Sequence, residues 1–244
     1  MTLSFVPLGV GDAFSALYYS SCLAVGFEDR WILVDCPHPI RKMLRESDVD
    51  LDLDRVEAVA LTHLHADHAS GLEGYGYFNH FVLGRRAVIA ANPAVSERLW
   101  QGHLAAGMER LWVPGSRAPA RRSLGDYFEL APLDTDTRTT VGPFGIECRM
   151  TLHHVPTTAF RIHAGGRCLG YSADTAFDPS LIDWLAEADL MVHETNLGTH
   201  TPYEKLAGLS PEIRAKMRLI HYPDAFDRAS SVIEPLRQGR LYPV

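Results

Sequence analysis

Residues Thr62-His63-Leu64-His65-Ala66-Asp67-His68 set three imidazoles and a carboxylate side by side at the end of an apolar run, Val56 to Leu61. Histidine is only moderately buried on average and aspartate almost never without a partner, so packing explains this density poorly. His63 and His65 stand two residues apart, and in extended or tight-turn backbone their side chains converge from one side of the chain. Asp67 and His68 are adjacent and point differently, which suits two neighbouring metal ions better than one. Imidazole with carboxylate and without thiolate is a donor set for Zn, Mn or Fe.

One turn supplies too few ligands, so further donors must come from elsewhere in the chain. Met150-Thr151-Leu152 runs into His153-His154 and stops at Val155-Pro156. Cys168 to Ala173 runs into Asp174-Thr175, and Arg218-Leu219-Ile220 into His221-Tyr222-Pro223. Each is a short apolar run, then a candidate ligand, then a turn former. Ligands delivered from several strand ends are the pattern of an α/β metalloenzyme site.

The His63–His68 segment resembles the His-x-His-x-Asp-His loop of the metallo-β-lactamase fold superfamily, and the resemblance covers nearly the whole chain. It implies an α/β four-layer αββα sandwich and two divalent metal ions. Carried over residue by residue, it has His63, His65 and His153 hold the first ion. Asp67, His68 and His221 hold the second, and Asp174 bridges the two. His153 is preferred to His154 because His153 to Arg161 resembles the phosphodiesterase and transfer-RNA 3′-processing branch, in which the ligand stands two residues before the Val or Ile. His154 is left to second-sphere or substrate contact. Asp35 corresponds to an aspartate that supports the first-metal histidines. Zinc is the default ion; Mn and Fe also suit the donors.

Two further segments resemble the same branch. His193-Glu194-Thr195 is similar to its His-Glu-Ala-Thr motif with the alanine missing, and Thr199-His200-Thr201 to its His-Ser-Thr element. They imply phosphodiester hydrolysis in which Asp67 orients the nucleophile and accepts its proton. His200, held by Glu194, contacts the phosphoryl oxygen or protonates the leaving group. A long, Gly/Pro-rich basic arm like that of the transfer-RNA enzymes is missing between Gly74 and Leu152, and the net charge is −7. Both features favour a small cyclic or diester phosphate as substrate. An RNA 3′-processing nuclease, or a lactone or thioester hydrolase, is the alternative.

The elements that must position these groups follow from pattern. The length of 244 residues, with 46% apolar and 22% charged residues, fits one globular hydrolase domain over 1–244. Strands are expected at 3–10, 21–27 and 31–36, a short helix at 40–45, and a solvated acidic loop at 48–54. Residues 71–76 read as loop and 77–83 as a helical or amphipathic segment, followed by a strand at 87–90 and helices at 94–100 and 102–111. Strands follow at 127–133, 141–152, 160–163 and 167–171, a helix from Asp178 or Pro179, a strand at 188–192 and a last helix at 211–217. Cys22, Cys36, Cys148 and Cys168 form no Cys-x-x-Cys pair and are expected reduced and buried. With no signal peptide and no apolar run near 18 residues, the expected location is cytoplasmic, without a membrane partner. Leu17-Tyr18-Tyr19 and the patch Tyr75, Tyr77 and Phe78 offer surface for a homodimer. His38 and the Arg117, Arg121 and Arg122 cluster receive no role.

Overall fold

Phe5, Val25, Ile32, Val34, Ala58 and Ala60 share one core, while Val6, Leu8, Ala24, Leu33 and Val59 belong to another. Successive side chains of a strand point to opposite faces, so this near-perfect alternation means that both faces of the first sheet are covered. The computed structural model describes residues 2–244. Its first sheet runs Tyr242–Pro243, Ser4–Gly9, Cys22–Phe27, Arg30–Val34, Val56–Ala60, Ala87–Ala91, Phe128–Pro132. Its second runs Glu234–Pro235, Met217–Ile220, Leu190–Glu194, Arg167–Tyr171, Thr158–Ala164, Phe144–Met150, Thr139–Val141. Each sheet joins an antiparallel meander to parallel strands.

The first core lies between the sheets, where Phe5 and Ile32 share it with Phe144, Ile146 and Ile162. Helices Ile40–Arg45 and Leu72–Phe81 cover the outer face of the first sheet through Met43, Leu44, Leu72 and Tyr75. Helix Pro179–Leu185 brings Leu181, Ile182 and Leu185 to the second sheet, and Tyr203–Ala207 brings Leu206. The architecture is the four-layer αββα sandwich expected. Among the described residues no helix is long and apolar enough to cross a membrane, and all four cysteines are free and buried.

The second helix begins at Leu72, so the loop expected at 71–76 is helical. Its glycines suggested a break, but Gly76 serves packing: a Cβ there would lie 2.4 Å from Phe128 Cζ. Tyr75 is fully buried in that helix and is core, not dimer surface. The two helices expected at 94–111 become Pro93–Ser96 and Ala105–Met108, joined through a π-helical stretch at Trp100–Leu104. Arg110–Leu111 leaves the helix to pair with Ala120–Arg121. The last expected helix stops at Ala215, because Met217 already belongs to a strand. The acidic loop is only partly solvated: Leu51 and Leu53 point inward, and Asp52 takes Arg41 through two 2.9 Å hydrogen bonds.

What positions the site is the common edge at which the parallel strands of both sheets end. Backbone hydrogen bonds tie the two sheets there, from Thr158 N–H to Thr62 O at 3.1 Å and from Tyr222 N–H to Val10 O at 3.3 Å. Asp35, Ala173 and His221 adopt left-handed conformations at this edge, with φ of 65°, 52° and 59°. Such backbone is uncommon outside glycine, costs on the order of 1 kcal/mol or more per residue, and concentrates at functional sites.

Candidate metal centre

The chain leaves strand Val56–Ala60 through Leu61 and Thr62 and turns into the one-turn helix Ala66–Ala69. That turn throws His63 and His65 to one side and Asp67 and His68 to the other. His63 Nε2 and His65 Nδ1 lie 3.0 Å apart, and His153 Nε2 lies 3.3 Å from His65 Nδ1. On the second side, Asp67 Oδ2 is 3.3 Å from both His68 Nε2 and His221 Nε2. Asp174 faces both groups. Its Oδ2 is 3.7 Å from His63 Nε2 and 3.9 Å from His153 Nε2, and its Oδ1 is 3.4 Å from His68 Nε2 and 3.7 Å from His221 Nε2. All seven residues singled out from the sequence as ligands therefore converge: His63, His65, His153 and Asp174 form one cluster, Asp67, His68 and His221 a second, and Asp174 and His221 also meet His200.

Charge and donor counting test whether the site suits cations. Burial pushes the Asp67 and Asp174 carboxyls up, but the neighbouring histidines outweigh it and hold both far below the usual carboxylate range. Burial pulls His68 and His221 down, yet facing carboxylates reverse this, leaving His68 well above its ordinary range and His221 at about 8. Burial dominates at His63, which falls well below its usual range, and at His153, pushed down to about 4. The second cluster thus demands positive charge, which protons or a cation can supply, and the first presents neutral imidazole lone pairs. Buried His68 Nε2 has no hydrogen-bond partner despite two carboxylates nearby. A divalent ion fits both clusters.

The outer contacts set ring orientation. Asp35 accepts hydrogen bonds from Thr62 N–H at 2.8 Å and from the Thr62 hydroxyl at 2.9 Å, and His68 Nδ1 lies 2.8 Å from its Oδ2. Asp35 therefore supports His68, of the second cluster, and reaches His63 only through the Thr62 hydroxyl, 2.9 Å from His63 Nδ1. This corrects the expectation that Asp35 serves the first-metal histidines directly. With its hydrogen given to Asp35, the Thr62 hydroxyl accepts from His63 Nδ1–H and leaves His63 Nε2 bare toward the cluster. Asp35→Asn would put an amide against the His68 ring; divalent-ion affinity, measured by competition with a chromophoric chelator, is expected to fall about 10- to 100-fold. Unchanged affinity would remove this support role.

Glu194 ends strand Leu190–Glu194 fully buried. Its Oε1 accepts from Thr175 N–H at 2.7 Å and lies 2.9 Å from His200 Nδ1. Its Oε2 has no hydrogen-bond partner and stands 3.8 Å from His221 Nδ1. The Glu194 hydrogen bond raises His200 above its ordinary range against the pull of burial. His200 Nδ1 is 4.0 Å from Asp174 Oδ2. His154 sits outside the clusters, with Nε2 3.0 Å from the outward His65 Nε2. His38 is exposed and Arg122 pairs with Asp126 at 3.4 Å. Sequence reasoning gave no role to Asn196, whose Nδ2 donates to Asp12 Oδ2 at 3.2 Å and lies 3.4 Å from His221 Nδ1. Its only signal was position, two residues past Glu194.

The fold and the site chemistry define a metal-dependent hydrolase of the metallo-β-lactamase fold, of the phosphodiesterase type. Among solved structures it is similar to the metallo-β-lactamase fold protein YhfI from Bacillus subtilis, with a TM-score of 0.79, 20% identity and 99% of each chain covered. It is also similar to a diphosphatase from the PhnP family, with a TM-score of 0.76 and 14% identity over 99% of this chain and 97% of the other. The family model described as Anti-Pycsar protein Apyc1 matches residues 3–241. The protein of that name from Bacillus phage 010DV004 is 31% identical over 260 residues, covering 99% of this chain and 98% of the relative. The chain belongs to the Anti-Pycsar protein Apyc1 family.

Proposed function

We propose that this chain is a dinuclear phosphodiesterase acting on a small cyclic or diester phosphate. In this reading His63, His65 and His153 hold one divalent ion, Asp67, His68 and His221 hold the other, and Asp174 is shared. The observation that carries it is the division of Asp174, one oxygen toward each cluster, with the His200–Glu194 pair beside it. Zinc is the default ion for these donors. The same reading has residues 1–244 act as one hydrolase domain in a reducing cytoplasm, where free, buried cysteines persist.

Ions held there would supply an acidified water and offset charge on the phosphoryl oxygens. The remaining roles fall to the chain. The Asp67 side chain is 11% exposed, against 3% for Asp174 and 1% for Glu194, so Asp67 is the carboxylate that meets water, orients it and takes its proton. The Glu194 carboxylate holds His200 Nδ1–H, which leaves His200 Nε2, on a ring one-fifth exposed, for a phosphoryl or leaving oxygen.

The test is hydrolysis of bis(p-nitrophenyl) phosphate by metal-reconstituted protein, with a lactone and a thioester run in parallel. Diester turnover is expected, falling about 10³-fold in Asp67→Ala. Turnover confined to the two acyl substrates would sink the phosphodiesterase reading.

A further inference from the structure

Asp12 is a buried carboxylate that the reaction above does not use. It is 6% exposed, on the loop that follows strand Ser4–Gly9. Among the described residues its side-chain oxygens meet no lysine, arginine or histidine. Oδ1 accepts from Phe14 N–H at 3.0 Å and Oδ2 from Asn196 Nδ2 at 3.2 Å. A charge buried without an ion partner is costly, so the donors it does take carry the arrangement. The first donor is two residues away and closes the loop on itself. The second is 184 residues away, past the end of strand Leu190–Glu194 in the other sheet.

Asn196 in turn shapes the loop at 195–202, which carries His200. Its N–H donates to Thr201 O at 3.1 Å, and its Oδ1 accepts from Leu197 N–H at 2.7 Å. The second bond fixes the orientation of the amide and leaves Nδ2, a donor, for Asp12. The same nitrogen lies 3.4 Å from His221 Nδ1. The base of the loop is closed within the second sheet, where the Thr195 hydroxyl donates to Thr201 O and the Thr201 hydroxyl to Thr175 O, each at 3.0 Å. Its tip is free: Leu197, Gly198 and Thr199, the three residues before His200, are exposed. Asp12 therefore gives this loop a hold on the first sheet. Glu194 fixes the His200 ring at Nδ1, 2.9 Å away, but a ring held at one atom still swings about that bond when its backbone shifts. Small displacements of a group that must meet a reacting atom are expensive in rate.

We propose that Asp12 and Asn196 are a positioning pair for His200: the buried carboxylate aims the amide, and the amide holds the 195–202 loop so that His200 Nε2 meets the departing oxygen. This deepens the phosphodiesterase reading and rests on its use of His200. The test is a double-mutant cycle on metal-reconstituted protein with Asp12→Ala, Asn196→Ala and the double variant. Asp12→Asn is the conservative change, since it keeps an oxygen acceptor for Asn196. Turnover is read on two diesters, a 3′,5′-cyclic mononucleotide, whose leaving sugar hydroxyl needs a proton, and bis(p-nitrophenyl) phosphate, whose phenolate does not. Backbone amide exchange over 196–200 is read alongside by mass spectrometry. On the cyclic mononucleotide kcat should fall about tenfold in each single variant and no further in the double, with Asp12→Asn less affected. On bis(p-nitrophenyl) phosphate the loss should stay within about twofold. Partial unfolding or lost metal would lower both substrates together and cancels in their ratio. Exchange over 196–200 should rise to a similar extent in the two single alanine variants and the double. Losses that add in the double variant, equal losses on the two diesters, or unchanged exchange would each overturn the proposal. If the wild type hydrolyses neither diester, the phosphodiesterase reading fails separately. In that case, or where only the p-nitrophenyl ester turns over, exchange decides: a non-additive rise supports the pair, and no rise or an additive one overturns it.

Discussion

Asp174→Ala is expected to bring diester hydrolysis down by on the order of 10⁴-fold and to lower the bound metal by at least one ion per chain. The size of the effect follows from position. Among the described residues Asp174 is the one side chain within 4 Å of both imidazole clusters through different oxygens, so on the proposed assignment its loss would take a negative ligand from each. The other nearby carboxylates do not replace it: Asp67 already lies between His68 and His221, and Glu194 gives Oε1 to Thr175 and His200 and faces only the Nδ1 side of His221 with Oε2. Elemental analysis of the purified variant, set beside its turnover of bis(p-nitrophenyl) phosphate, checks both halves. Full metal content with near-normal turnover would remove Asp174 as the shared ligand. Asp174→Asn, which keeps the shape and one good donor oxygen, should fall between the two.

His200→Ala should have the next largest effect, and one that depends on the leaving group. An alkoxide needs a proton as it departs, while p-nitrophenolate leaves without one. For a cyclic mononucleotide, whose leaving group is a sugar hydroxyl, kcat should fall about 10²- to 10⁴-fold. For bis(p-nitrophenyl) phosphate the loss should stay within about tenfold. Equal losses on both substrates would assign His200 to the phosphoryl oxygen and not to proton delivery. Glu194→Gln should reproduce the same asymmetry at smaller amplitude, because the amide still caps the Thr175 N–H but no longer favours the protonated His200 ring.

The convergence of the candidate ligands was legible from their residue types and places in the chain. His63, His65, Asp67 and His68 announce themselves by density, and His153, Asp174 and His221 each close an apolar run before a turn. The choice of His153 over His154 came from a family resemblance; in the structure His153 Nε2 lies beside His65 Nδ1 and His154 Nε2 beside the outward His65 Nε2. What stayed hidden depends on side chains meeting across long sequence separations. Asp35 reaches His68, and Asp12 reaches Asn196; neither contact leaves a spacing signature. The first half of the helix at Leu72–Phe81 was missed because the glycine-containing stretch 71–76 read as loop, although Gly76 is small so that Phe128 can lie against it. Local propensity gave way to tertiary packing.

The two sheets meet at the edge where these side chains converge, and each contributes only part of the donor set. His63, His65, Asp67 and His68 follow a strand of the first sheet; His153, Asp174 and His221 follow strands of the second. Neither sheet alone offers a full coordination sphere, so tight capture of an ion must wait until the two have docked. Metal uptake by a refolding chain is then expected to follow the docking of the two sheets, which stopped-flow folding with and without the ion would check. By the same linkage, bound ions act as a latch on the seam, slowing its opening and leaving an ion-stripped chain more open to proteolysis along this edge.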